Sequence, residues 1–253
     1  HCVTQPYNRL IPSLRRIHPC PTVNSAAPDS LEVKLDAKKV ALGDKLFHDK
    51  RLSADNSVAC ASCHGLDRGG VDGLPVSIGI KGAKGSINAP TVFNSGFNFL
   101  QFWDGRASSL EIQAADPVHN PVEMGSNWPE VLAKLELDDA MLKAFKDAYP
   151  DGLQAKNIQD AIAAFERSLI TPNARFDKYL RGDQTALSAD ELQGYRLFKQ
   201  YGCIACHQGV NVGGNMFQQF GIMGDYFKQR GNLTEADKIE EHTSELQSRI
   251  TNS

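Results

Sequence analysis

The pentapeptide Cys-Xaa-Xaa-Cys-His occurs twice in the chain, as Cys60-Ala61-Ser62-Cys63-His64 and as Cys203-Ile204-Ala205-Cys206-His207. A sequence of this composition would hold about 0.004 such pentapeptides by chance, so both copies point to chemistry. The two-residue spacer lets one turn of backbone present both thiols to one porphyrin edge, where they add across the vinyl groups. The adjacent histidine then supplies the proximal iron ligand. Zinc is the competing reading, but a zinc site needs four Cys or His ligands at short spacing. No further Cys-Cys or Cys-His pair stands near either motif. A thioredoxin-like redox pair would sit beside a βαβ pattern, and none is recognisable. The motifs therefore predict two covalently bound haem c groups, with His64 and His207 as iron ligands and Cys60, Cys63, Cys203 and Cys206 as attachment points.

Covalent attachment needs reduced thiols to meet haem outside the bacterial cytoplasmic membrane, which points to the periplasm. A net charge of −3 gives no electrostatic case for nucleic acid or an anionic membrane surface. The sequence has no run of 18 apolar residues, so no span is expected. The N-terminus shows no charged region, apolar region and cleavage site of a signal peptide. Residues 1–27 lack periodicity and form a poorly defined segment in which Cys2 and Cys20 are close enough in sequence to pair. The tail 239–253 (IEEHTSELQSRITNS) reads as translated adaptor sequence and is set aside, a solvated helix being the alternative.

Helical periodicity dominates the rest. Ile158, Ile162, Phe165 and Leu169 form one apolar stripe, ended by Thr171-Pro172. Trp128, Val131, Leu132 and Leu135 form another, followed by Met141, Phe145 and Tyr149. Between Gly65 and Gly105 the chain is rich in Gly, Asn and Pro, the pattern of a long binding loop. A weak repeat places Gly43-Asp-Lys-Leu-Phe47 before the first pentapeptide and Gly194-Tyr-Arg-Leu-Phe198 before the second. Ser188-Ala-Asp-Glu191 reads as a capping box opening the second of these helices. Each copy is an amphipathic helix running into an attachment site. The expected fold is mainly α, with two cytochrome-c-like haem domains and long loops, the second domain incomplete. The boundaries are 28–173 for the first and 174–238 for the second.

The segments Ala89-Pro-Thr-Val-Phe-Asn94, Gln101-Phe-Trp-Asp-Gly-Arg106 and Asn120-Pro-Val-Glu-Met124 resemble the bacterial dihaem cytochrome c peroxidases. Leu169-Ile-Thr-Pro172 and Phe176-Asp-Lys-Tyr-Leu-Arg-Gly-Asp183 continue the likeness, which runs from about Lys39 to Lys238. The resemblance implies reduction of hydrogen peroxide to water at the N-terminal haem, held by His64. Electrons would come through the haem at His207 from a small cytochrome c or copper protein. It implies that Glu123 is the distal acid/base, moving a proton from one peroxide oxygen to the other, and that Gln113 orients the peroxide. Trp103 matches a tryptophan between the haems, although packing among Phe99, Leu100 and Phe102 explains it equally. Arg106 matches a haem-propionate partner, or is a solvated arginine. Asn88 matches a ligand of an interfacial calcium, or is a turn residue. Family members are often calcium-dependent homodimers.

Two departures stand out. Many members carry a histidine on the loop after the first CxxCH that blocks the peroxidatic iron. The aligned loop here is Pro75-Val-Ser-Ile-Gly-Ile-Lys-Gly, and Ile80 takes that position. Isoleucine cannot ligate iron, so the first haem should be five-coordinate when both irons are ferric. His119, four residues before Glu123, is the nearby substitute, with a polar loop role as the alternative. The likeness also ends before the part of the family that supplies a methionine ligand to the second haem. Met216 and Met223 follow the second motif but suit apolar packing better. Weak turnover is expected for the chain as written. Two rival functions stay open: a dihaem electron-transfer cytochrome, and a protein-modifying dihaem oxidase of the same family.

Overall fold

A computed structural model describes residues 34–213, together with the pairs 217–218 and 250–251. Cys2, Cys20, Met216, Met223 and most of the 239–253 tail lie outside the described residues. The described chain is mainly helical: α1 (Ala37–Phe47), α2 (Cys60–Cys63), α3 (Leu110–Gln113), α4 (Ala115–His119), α5 (Trp128–Leu135), α6 (Asp139–Ala148), α7 (Ala155–Ser168), α8 (Arg175–Leu180) and α9 (Ala189–Gln200). Two-residue strands β1 (Phe217–Gln218) and β2 (Ile250–Thr251) pair antiparallel. No described helix is long and apolar enough to cross a membrane. Among the described residues, 34–171 and 188–213 fall in one compact unit and 172–187 in another.

Local chemistry fixes the helix starts. Asp36 accepts from the Lys38 backbone N–H at 2.8 Å and opens α1. Asp138 accepts from the Ala140 and Met141 N–H groups and opens α6, and Asn127 accepts from the Glu130 N–H to open α5. The capping box at α9 forms as the sequence implies. The Glu191 N–H donates to Ser188 Oγ at 3.3 Å, and the Ser188 N–H donates to Glu191 Oε2 at 2.8 Å. From Gly65 to Gly105 there is no α-helix, only short 3₁₀ turns and loop.

The core of the larger unit is built from the expected stripes together with α1. Leu42, Leu46, Val131, Leu135, Phe145, Ile158 and Ile162 are all buried in one cluster. A smaller cluster of Phe47, Val92 and Phe165 has Cys60, Ala61 and Leu169 packed against it, so the hydrophobic interior reaches the first attachment site. Tyr149 Oη and Lys39 Nζ both donate to Asp160 Oδ2 at 2.7 Å, tying α1, α7 and the end of α6 together. In the 172–187 unit, the Asp177 carboxylate accepts from the Ala174 N–H at the start of α8.

The two repeat glycines are not equivalent. A Cβ on Gly43 would lie 1.9 Å from the Ala161 carbonyl oxygen and 2.7 Å from Phe165 Cβ, so α1 crosses α7 at van der Waals contact of the backbones. A Cβ on Gly194 meets no described atom within 4 Å. Gly43→Ala should therefore destabilise the holoprotein by about 1–3 kcal/mol through overpacking. Gly194→Ala should stabilise it by about 0.5–1 kcal/mol through helix propensity. Urea unfolding followed by circular dichroism checks both; a neutral Gly43→Ala would contradict the close crossing.

Candidate haem site

α2 is a single turn, so Cys60 and Cys63 emerge on one side of it, and the His64 N–H donates back to the Cys60 carbonyl at 2.9 Å. Ser62 Oγ secures the turn by accepting from the Ala59 N–H at 2.9 Å. His64 Nδ1 lies 3.1 Å from the Pro90 carbonyl oxygen and 3.3 Å from that of Gly70. A carbonyl only accepts, so Nδ1 carries the proton and Nε2 keeps its lone pair for a metal. Burial holds the imidazole below its ordinary pKa, against the pull of the two carbonyls, and keeps it neutral. Gly70 adopts φ +77°, and a Cβ there would lie 2.8 Å from Thr91 Oγ1. The loop therefore needs glycine at the point where its carbonyl meets the histidine.

The second motif repeats this arrangement. Cys203–Ala205 forms one 3₁₀ turn, and His207 Nδ1 faces the Val212 carbonyl at 3.2 Å, which fixes the same tautomer. Phe198, the last residue of the repeated pentapeptide, stands edge-on to the His207 ring. Asn211 Nδ2 donates to the Asn94 carbonyl at 3.1 Å and to Asn98 Oδ1 at 2.7 Å, so the segment just after the second motif is hydrogen-bonded to the Gly65–Gly105 loop. Asn94 is itself clamped, its side chain exchanging two hydrogen bonds with Thr171.

Cys60, Cys63 and His64 line a cavity of about 390 Å³ whose walls also carry Asn88, Trp103, Arg106, Gln113 and Glu123. Its apolar lining includes Val58, Val92, Leu110, Ala114, Met124 and Ile162. Ser95 Oγ and Glu166 Oε2, also of lining residues, are buried without a hydrogen-bond partner. Apolar walls with two orphaned polar atoms suit a flat group that is mostly hydrophobic and carries polar arms. Burial pushes the Cys60 thiol up to about 12, with the Glu166 carboxylate adding to the shift, and raises that of Cys63. Among the described residues no group of three or more His, Cys, Asp or Glu is placed to hold a metal ion, so the zinc reading lacks its other ligands. The residues present fit a covalently attached haem c.

Glu123 follows α4 in a turn held by its neighbours. Its N–H donates to the Asn120 carbonyl at 3.0 Å, and Asn120 Nδ2 donates to Glu123 Oε1 at 2.7 Å. Burial raises the carboxyl pKa, while the Asn120 bond and the Arg106 charge pull it back. Gln113, at the end of α3, faces the same cavity. Arg106 lies on a loop pinched where the Gln101 N–H donates to the Ala107 carbonyl at 2.8 Å. Its guanidinium stacks 3.5 Å over the Phe102 ring, donates from Nε to Asp116 at 3.0 Å and from Nη1 to Asp104 at 3.1 Å. Two aspartates thus already engage the arginine that the resemblance pairs with a propionate. Trp103 Nε1 donates to the Asn88 carbonyl at 3.1 Å, which fixes the indole in the cavity wall. Asn88 itself is exposed.

Ile80 does not line the cavity, although Gly79 beside it does. Its N–H donates to the Glu123 carbonyl at 2.9 Å, and its buried side chain packs at Gly125. A Cβ on Gly79 would lie 2.1 Å from the Val122 carbonyl, so the two loops touch through backbone. His119 also stands apart from the cavity, exposed and edge-on to Trp128 at 5.5 Å, which removes it as a substitute ligand. Two wall residues, Ser95 and Glu166, went unread in the sequence. Glu166 was signalled by its spacing, four residues after Ile162 on a buried stripe.

Two haem-attachment turns on a mainly helical chain define a dihaem c-type protein. The chain belongs to the di-haem cytochrome c peroxidase family, whose model matches residues 37–185. Its haem c groups are accordingly two. The chain is 52% identical over 211 residues to the cytochrome c peroxidase Ccp of Escherichia coli (strain K12), covering 83% of this chain and 45% of that one. It is 46% identical over 193 residues to the cytochrome c551 peroxidase of Nitrosomonas europaea, covering 76% and 58%. The chain thus spans about half the length of the curated relatives it matches. Among solved structures it resembles a MauG-like protein associated with microbial copper homeostasis, with a TM-score of 0.72 and 27% identity over 86% of this chain and 69% of that one.

A pyridine haemochrome assay should return two haems for the parent chain and one for a Cys60→Ala/Cys63→Ala double variant. Two haems in the double variant would contradict the assignment of the first site.

Proposed function

We propose that the chain is the haem-bearing part of a periplasmic peroxidase that reduces hydrogen peroxide to two waters, taking two protons and two electrons. The observation that carries this reading is the presence of Glu123 and Gln113 in the same cavity wall as Cys60, Cys63 and His64. A cytochrome that only relays electrons has no use for an acid/base carboxyl paired with an orienting amide there. When bound, the haem at His64 supplies the redox-active iron. Glu123 takes a proton from the first peroxide oxygen and returns it to the second, so that water leaves. Its raised pKa suits that exchange, and Asn120 holds the carboxyl in one position. Gln113 orients the peroxide, and its amide can donate to one oxygen while accepting from the other.

His207, with Cys203 and Cys206, would hold the second haem, which would supply a one-electron store, and Trp103 would lie on the route between it and the first site. The donor in this reading is a small cytochrome c or cupredoxin. The first domain, 28–173, is the peroxidatic one and 174–238 is part of the electron-entry domain. Arg106, engaged by Asp104 and Asp116, serves first to hold the Trp103 loop, and a propionate contact would be additional. Calcium binding at Asn88 and homodimerisation belong to the same reading. Ile80, turned to Gly125, would offer no ligand to the iron of a haem held by His64.

Stopped-flow absorbance at the Soret band, on mixing the loaded protein with hydrogen peroxide, tests the role of Glu123 without any donor protein. Glu123→Gln should slow the reaction by about 10²–10⁴-fold with haem content unchanged. The parent rate should fall with acidification at a pH above the ordinary glutamate value of about 4.3, because Glu123 must be ionised to accept the proton. That limb should vanish in the variant. Equal rates for parent and variant would sink the proposal.

A further inference from the structure

Glu166 is a carboxyl that the peroxide chemistry above does not use. It lies on α7, one turn after Ile162, and is 5% exposed. Both Ile162 and Glu166 line the cavity that holds Cys60, Cys63 and His64, and Glu166 Oε2 has no hydrogen-bond partner. Ser95 Oγ, 6% exposed and also in the wall, is orphaned in the same way. An unpartnered buried carboxylate is costly, so such a group stays protonated unless a positive charge compensates it.

The charges around it do not compensate fully. Arg167, the next residue on α7, is engaged by Glu111 of α3 through two hydrogen bonds of 2.5 and 3.0 Å. Its attraction for Glu166 is therefore opposed by the repulsion of Glu111. On α2 the ionisable neighbour is the Cys60 thiol, consumed as a thioether when haem is attached. Just after α1, His48 stands edge-on to Phe165, the residue before Glu166, and on α1 Lys39 is held by Asp160, earlier on α7. The 3₁₀ turn Ser95–Phe97 contributes no ionisable side chain. Burial moves the Glu166 carboxyl up to about 8, close enough to neutrality for a nearby change of one charge to move its proton.

We propose that Glu166 is a redox-linked proton site of the first haem cavity, binding a proton when the iron at His64 is reduced and releasing it when the iron is oxidised. The electron comes from a one-electron donor and the proton from solvent: Fe(III) + e⁻ + R–COO⁻ + H⁺ gives Fe(II) + R–COOH, where R–COO⁻ is Glu166. Reduction removes one positive charge from a low-dielectric cavity, so the carboxyl holds its proton more tightly in the ferrous state. The midpoint potential of that iron then falls as pH rises between the carboxyl pKa values of the two oxidation states, and is flat on either side. In the peroxidase reading, Glu166 brings in one of the two protons together with an electron. The proposal rests on haem binding in the cavity and requires no peroxide reactivity.

The test is a spectroelectrochemical titration of the loaded full chain between pH 6 and 10, resolved into two one-electron waves, for the parent, Glu166→Gln and Glu166→Asp. One parent wave should shift with pH in a window around the Glu166 pKa, and that dependence should be absent in Glu166→Gln. Glu166→Asp sets the carboxyl back by one methylene, so its window should persist at a displaced pH. A parent wave whose pH dependence survives unchanged in Glu166→Gln overturns the proposal. If Glu166→Gln fails to load haem, an unmoved window in Glu166→Asp overturns it. Loss of peroxide reaction with the pH window intact would refute the proposed function and leave Glu166 in place.

Discussion

The approach of α1 to α7 at Gly43 is the contact on which the rest of the first haem site depends. With no Cβ between them, the α1 backbone rests on the Ala161 carbonyl. That closeness lets Phe47 reach Phe165, with ring centroids 5.2 Å apart, and both pack toward Cys60. The next turn of α7 then presents Ile162 and Glu166 to the cavity. Arg167 carries the same helix to α3 through Glu111, and α3 ends in Gln113. One helix crossing thus sets three walls of the site.

The remaining walls are loop, and hydrogen bonds do there what packing does in the core. Ile80, Glu123 and Asn120 hold one another through backbone and side-chain bonds. Gln101 and Ala107 pinch the loop that displays Trp103 and Arg106. Within that loop Phe102 adopts φ +67°, which costs a non-glycine residue about 1–3 kcal/mol. Arg106 stacked on its ring and the Gln101 side chain bonded to Ser95 oppose that strain. The cavity combines a neutral imidazole on one element with two carboxyls of raised pKa on two others. Such a site can exchange protons as the iron changes charge.

Much of this was legible in the sequence where the determinant is local. A haem attachment site is five consecutive residues, so both were readable, although the carbonyls that fix His64 come from Gly70 and Pro90, outside the motif. The stripes through Ile158 and Val131 became α7 and α5 because a 3.6-residue period leaves little choice. The capping box at Ser188 is a contact across three residues. The illegible features are those made between distant segments. Nothing near Gly43 in sequence signals Ala161, and nothing near Arg106 marks Asp116 as its partner. The turn of Ile80 toward Gly125 depends on a loop distant in sequence. Glu166 stood in plain view on a buried stripe. Its spacing from Ile162 places it on the buried face, but its lack of a hydrogen-bond partner there depends on segments distant in sequence.

The central claim is that the two attachment motifs serve unequal irons, the one at His64 being open to peroxide. The spin state of the haems in the fully oxidised, loaded protein tests this most directly, by electron paramagnetic resonance at low temperature. The account predicts a high-spin ferric signal from the haem at His64, lost in the Cys60→Ala/Cys63→Ala variant. A low-spin, six-coordinate signal from that haem would contradict it.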